Sequence, residues 1–124
     1  MSKHITIGKY AEEIAKDYLA EKGYKIIERN YRKPWGEIDI VAKNGDVFLF
    51  VEVKANSVES REFAPETRVD KKRIGRIIRT AQTYLSSTGN KNISWQVDII
   101  SVTFFKKEGR AKIVYFKNVA DNYI

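Results

Sequence analysis

Apolar residues recur every three or four positions from about Thr6 to Lys22, where Tyr10, Ala11, Ile14, Ala15, Tyr18 and Leu19 form one stripe. Thr6 is a candidate N-cap for this segment and Gly23 a C-terminal stop, so the spacing predicts an amphipathic helix. The pattern then changes. Tyr24 and Ile26 alternate with Lys25 in a run that reads as a strand to Tyr31, with Ile27 out of phase, and Lys33-Pro34-Trp35-Gly36 interrupts it. Glu37 to Ala42 and Val47 to Lys54 are two β-rich runs flanking Lys43-Asn44-Gly45-Asp46, and Asn-Gly is a strong hairpin signal. Their apolar density predicts strands near the sheet centre. Residues 55–68 contain Asn56, Ser57, Ser60 and Pro65 among charges and read as a mobile loop. A second helix is predicted from about Asp70 to Ser86. It gathers Ile74, Ile77, Ile78, Ala81, Tyr84 and Leu85 on one face and most basic residues on the other. After Gly89-Asn90, two further strands are expected at Ser94 to Phe105 and Ala111 to Phe116, joined by Lys106 to Arg110, with a short turn in the last residues. The order is helix, three strands, helix, two strands, an α/β architecture with helices covering a mixed five-stranded sheet.

The 124 residues carry no repeat, low-complexity tract or linker, and residues 1–124 are read as one domain with one modest core. No apolar run is long enough to span a membrane and the N-terminus lacks the apolar core of a signal peptide. With no cysteine, disulfides and thiolate metal sites are excluded, and a reducing cytoplasm fits best. A metal would need oxygen ligands or the lone His4. The net charge of +7 points to a polyanionic partner or to simple solubility. Where the charge lies is more informative: Lys71, Lys72, Arg73, Arg76 and Arg79 crowd the predicted second helix, and Arg61 and Arg68 lie just before it.

The candidate chemistry sits in the hairpin. Asp39, within Gly36-Glu37-Ile38-Asp39, is followed after twelve intervening residues by Glu52-Val53-Lys54. Side chains alternate faces along a strand, so Glu37, Asp39 and Val41 are expected on one face and Phe48, Phe50, Glu52 and Lys54 on one face of the second strand. If the connecting loop has an even number of residues, Asp39 and Glu52 share a face at most a diagonal neighbour apart. An odd loop or a bulge reverses that parity. Two carboxylates in an apolar sheet repel one another and are costly to desolvate, and a divalent cation removes both objections. Mg²⁺ suits carboxylate and water ligands and accepts phosphate oxygens. Lys54 could then orient or help deprotonate the attacking water, or stabilise developing negative charge. The competing reading pairs both acids with Lys or Arg at strand ends.

Other residues are open to two readings. Glu12 lies at the margin of the first helix's apolar face, either turned toward the sheet or solvated. Glu37 could reach the site or cap the hairpin. Asp98 reads as a structural partner for an arginine or a backbone group, and His4 has no evident role. Tyr31 and Trp35 are candidates for stacking on bases or for ordinary packing. No Gly-rich phosphate loop, Ser/His/Asp arrangement or zinc spacing is present.

Gly8, Glu12, Ala15, Tyr18-Leu19, Gly23-Tyr24, Arg29-Asn30-Tyr31-Arg32, Gly36-Glu37-Ile38-Asp39-Ile40, Phe50-Val51-Glu52-Val53-Lys54 and Ala81…Tyr84-Leu85 together resemble the YraN-like family of bacterial proteins. That family is similar to the PD-(D/E)XK, restriction-endonuclease-like superfamily and, within it, to archaeal Holliday junction resolvases. The resemblance implies a mixed sheet flanked by helices, Mg²⁺-dependent DNA cleavage with Mn²⁺ as a substitute, and often a homodimer. It also implies roles: Asp39, Glu52 and the Val53 backbone carbonyl as metal ligands, Lys54 as the catalytic lysine, and Glu12 as the acid contributed by the first helix. Ile38 stands where the superfamily's name has proline, Ala11 where glycine is common, and Gln96 where an arginine usually precedes the aspartate matching Asp98.

The expected function is endonucleolytic hydrolysis of DNA, branched or junction DNA included, with Lys71, Lys72, Arg73 and Arg76 on phosphates. The alternative is a non-catalytic nucleic-acid-binding protein on the same fold. A third reading is a scaffold whose basic helix meets an acidic protein.

Overall fold

The computed structural model describes residues 6–58, 70–89 and 92–121. Its elements are α1 (Ile7–Glu21), β1 (Lys25–Lys33), β2 (Gly36–Asn44), β3 (Val47–Val58), α2 (Lys71–Ser87), β4 (Trp95–Phe105) and β5 (Arg110–Phe116), in the order read from the sequence pattern.

Both helices begin where a side chain can satisfy first-turn amides. The Thr6 hydroxyl accepts from the Lys9 N–H at 3.2 Å, and Asp70 accepts from the N–H groups of Lys72 and Arg73 at 2.9 and 3.4 Å. Helix α1 ends at Gly23, whose φ of +89° lets the Tyr24 N–H turn back to the Leu19 carbonyl at 3.0 Å. Each helix has one apolar stripe: Ala11, Ala15 and Leu19 on α1, and Ile74, Ile77, Ala81, Tyr84 and Leu85 on α2.

The strands lie in sequence order, β1-β2-β3-β4-β5. β1, β2 and β3 are antiparallel neighbours, β3 and β4 run parallel with α2 as the crossover, and β5 returns antiparallel to β4. The central position therefore falls to β3. One side of the sheet packs Phe48, Phe50 and Val97 against α2, and the other packs Leu49, Val51, Ile100 and Val102 against α1. No described helix is long and apolar enough to cross a membrane.

Two expectations need correction. Residues 55–58, read as the start of a loop, continue β3, because β4 offers a parallel partner at every step from Ala55↔Val102 to Val58↔Phe105. The rest of that segment, with Arg61 and Arg68, lies outside the described residues, as does His4. The second correction concerns the faces of β2. Ile38 and Val41 pack toward α2 while Ile40 and Ala42 pack toward α1, so strict alternation fails between Ile38 and Val41, and Glu37, Asp39 and Val41 do not form one regular row.

Candidate active site

The break in β2 coincides with Asp39. Directly across on β1, between the pairs Arg29↔Ile40 and Tyr31↔Ile38, lies Asn30 with φ of +54°. Asparagine tolerates this left-handed conformation better than other side-chain-bearing residues. Here it turns β1 over as well. Arg29 reaches Glu13 on α1, with Nη1 to Oε1 at 2.6 Å, whereas Tyr31 packs edge-on against Tyr84 of α2.

On its other side β2 pairs with β3 from Asn44↔Val47 to Ile40↔Val51, closed by the two-residue loop Gly45-Asp46. The even loop sets the register as far as Ile40↔Val51, one step short of Asp39 and Glu52. The backbone ladder stops at this level, and the Val53 N–H donates to Asp39 Oδ2 at 2.8 Å. A carboxylate thus takes the place of a strand carbonyl, which holds Asp39 against the central strand.

The electrostatics of Asp39 are unusual. Burial pushes its carboxyl up to about 6, the Val53 hydrogen bond works against that rise, the charges of Glu12 and Glu37 add to it, and Arg73 opposes it. Among the described residues no basic side chain forms a salt bridge with Asp39. Glu12 is half-buried on α1 beside the buried Ala11 and Ala15, and its field reaches Asp39. It also lines a cavity of about 340 Å³ with Lys9, Glu13, Arg29 and Asn30. Its neighbour Glu13 is exposed and held below the usual carboxylate range by Arg29 and Lys16.

Glu52 has a different environment. It is 5% exposed and its Oε1 pairs with Nε of Arg73 in the first turn of α2. Arg73 was expected on a nucleic-acid phosphate; in this structure its guanidinium is on the acid of the site. Lys54 follows two positions along β3, half-buried beside Ser101 of β4 and without a salt-bridge partner among the described residues. No group of three or more Asp, Glu, His or Cys among the described residues is arranged to hold a metal ion. A cation would rest on Asp39, Glu52, backbone oxygen and water. That donor set fits a hard cation with retained waters, and Asp39, desolvated within the fields of Glu12 and Glu37, is where positive charge would be most stabilising.

Of the basic side chains of α2, Arg73 contacts this centre. Lys71, Lys72, Arg73, Arg76 and Arg79 are exposed, with Arg76 Nε donating to the Lys72 carbonyl at 3.4 Å and the Arg79 guanidinium 4.4 Å from the ring of Trp35. Asp98 belongs elsewhere. Fully buried on β4, it accepts from Gln96 Nε2 at 2.9 Å, the Asn118 N–H at 2.8 Å and the Tyr115 hydroxyl, and so ties β5 and the residues just after it to β4. The burial of Tyr115 itself, and then its bond to Asp98, raise the Tyr115 hydroxyl pKa. Sequence reading missed the Arg73–Glu52 pair, although a helix starting at about Asp70 puts Arg73 in its first turn. It also missed Asn30, for which an Asn inside a strand run was the available signal.

A sequence profile described as Uncharacterised protein family UPF0102 matches residues 11–102. The chain belongs to the UPF0102 family. The matched span of this UPF0102 chain contains Glu12, Asp39, Glu52, Lys54 and the basic face of α2, and agrees with the YraN-like resemblance read from the motifs. Relatives include UPF0102 proteins of Fervidobacterium nodosum (44% identical, covering 74% of this chain and 69% of the relative) and Syntrophomonas wolfei (37%, 90% and 95%). A third, from Moorella thermoacetica, is 40% identical over 89% of this chain and 91% of the relative. Among solved structures, Pyrococcus furiosus SfsA in complex with Ca²⁺ superposes with a TM-score of 0.40 at 17% identity, over 88% of this chain and 61% of that one.

Proposed function

We propose that this chain is a divalent-metal-dependent endonuclease that hydrolyses phosphodiester bonds of DNA, with branched or junction DNA as its substrate class. The observation that carries the reading is Asp39: a desolvated carboxylate without a salt-bridge partner among the described residues, bonded to the Val53 N–H next to Glu52 and within the fields of Glu12 and Glu37. Such a concentration of negative charge opposes folding unless something positive is to be received there.

In this reading Asp39, Glu52 and the Val53 carbonyl would hold Mg²⁺, or Mn²⁺ in its place. When bound, the ion supplies a polarised water and neutralises charge building on the phosphate. Lys54 orients that water and donates to the oxygen that becomes negative. Glu12 accepts a hydrogen bond from the water side and sustains the field that attracts the cation. Arg73 leaves Glu52 for a phosphate oxygen, joining Lys71, Lys72 and Arg76, whose contacts position the backbone without reading sequence.

The test is cleavage of linear, flapped and four-way-junction DNA with Mg²⁺ or Mn²⁺. Asp39→Ala and Lys54→Ala are expected to abolish cutting while retaining most DNA affinity. Wild-type protein that binds DNA and never cuts it removes the enzymatic reading. The pairing of Arg73 with Glu52 favours one alternative, a nucleic-acid-binding protein without catalysis. It is distinguished by salt-sensitive DNA affinity indifferent to Asp39.

A further inference from the structure

Beside the carboxylate centre runs a second feature with its own chemistry. The turn between β1 and β2 leans on α2 so closely that a Cβ on Gly36 would lie 2.7 Å from Thr80 Oγ1 and 3.2 Å from the Arg76 carbonyl. Thr80 is held there by donating to that same carbonyl at 2.7 Å. Gly36 therefore permits an approach that any side chain would obstruct. The approach brings the half-buried Trp35 under Arg79 and opens a groove of about 570 Å³ lined by Arg32, Lys33, Trp35, Glu37 and Arg76.

Trp35, in the wall of this groove, carries an unsatisfied donor. The indole Nε1 of Trp35 is buried with no hydrogen-bond partner among the described residues, so an acceptor reaches it only when the indole shifts toward the groove. Three cations line the groove and Arg79 lies over the indole, while the one acid, Glu37, is already engaged by Arg32 Nε at 3.0 Å. A ligand that suits these groups has a flat aromatic face, oxygen acceptors and negative charge. The faces of bases inside a duplex are covered by their neighbours, so only an unpaired nucleotide offers all three.

We infer that the Trp35 groove is a subsite for an unpaired nucleotide, with the base on the Trp35–Arg79 pair and its phosphates on Lys33 and Arg76. The inference rests on the nuclease reading for its purpose. Glu37 borders the groove and acts on Asp39, and Arg76 lies one turn from Arg73, so a strand in the groove leads toward the carboxylates.

Trp35 is its own reporter, because the chain has two tryptophans and Trp95→Phe leaves one. The protein carrying Trp95→Phe is titrated with oligothymidylate and with a blunt duplex of equal length at low salt, about 50 mM. Fluorescence anisotropy of the labelled DNA gives affinity independently. Oligothymidylate is expected to quench Trp35 emission and the duplex to leave it nearly unchanged. Trp35→Ala is expected to weaken single-strand binding roughly tenfold, the scale of one lost base stack, with a much smaller effect on duplex. Trp35→Phe should recover most of the loss, and Arg79→Gln should reproduce part of it. Single-strand binding with unchanged Trp35 emission, or equal loss for both DNAs in Trp35→Ala, overturns the subsite and leaves the nuclease reading standing. Quenching without cleavage of any DNA overturns the nuclease reading alone. Failure to bind either DNA overturns both.

Discussion

Replacing Asp39 with asparagine in chelated, metal-free buffer should stabilise the protein at neutral pH. The carboxyl is raised from an ordinary 3.8 to about 6, chiefly by burial. Between about pH 4 and pH 6 the folded protein keeps a proton that the unfolded chain has released. Wild-type stability therefore falls as pH rises through that window and stays lowered above it. At about 1.4 kcal/mol per pH unit the gap corresponds to about 3 kcal/mol, and residual solvent contact screens this to about 2 kcal/mol. Asparagine keeps an oxygen for the Val53 N–H and carries no charge, so the variant escapes the penalty without losing that bond. The assay is urea denaturation of both proteins at about pH 4 and pH 7.5. The expected difference is near zero at the acid end and about 2 kcal/mol in favour of Asp39→Asn at the other, or roughly 6 to 10 °C in melting temperature. A variant less stable than wild type at pH 7.5, or shifted equally at both pH values, would refute the reasoning.

Three further outcomes follow from particular contacts. Arg73→Ala leaves the Glu52 carboxylate buried and unpaired and should destabilise the metal-free protein by about 2 kcal/mol, the exposed position of Arg73 keeping the loss below that of a fully buried pair; a change under about 0.5 kcal/mol by urea denaturation would contradict the pair. Gly36→Ala should destabilise by about 1 to 3 kcal/mol through its contact with Thr80 Oγ1, and Thr80→Ala in the same chain should restore part of the loss. Additive losses in that double-mutant cycle would show that the contact does not limit the site. Tyr115→Phe deprives Asp98 of one of three donors and should lower stability by about 1 to 3 kcal/mol while leaving DNA affinity unchanged; lost DNA affinity at full stability would give Asp98 a role other than the structural one.

The elements were legible because each helix carries a stripe of fitting period, the first with a capping Thr6 at its start, and because Asn44-Gly45 marks the hairpin. Loop parity also gave the β2–β3 register up to Ile40↔Val51. What alternation could not convey is that β1 and β2 turn over together at Asn30 and Asp39, because that depends on a backbone angle at one residue and not on any period. The strand at 55–58 was hidden for a related reason. Asn56 and Ser57 have low strand propensity, and a parallel partner from forty-odd residues later supplies their hydrogen bonds. Arg73 was legible as a cation on an exposed helix face, but its choice of Glu52 over solvent depends on how α2 sits against β3, which no local pattern encodes. Glu12 lay at the boundary between two helix faces, where spacing alone does not decide, and the field at Asp39 is what favours the inward reading.

The central claim is that Asp39 and Glu52 share one divalent cation. Crystals grown without metal and then soaked in Mn²⁺ test it directly through the anomalous signal of manganese. The account predicts a manganese peak bridging Asp39 and Glu52, with the Arg73 guanidinium displaced from Glu52, and no such peak in Asp39→Asn. Saturating Mn²⁺ that leaves this position empty, with Arg73 still paired to Glu52, would contradict it.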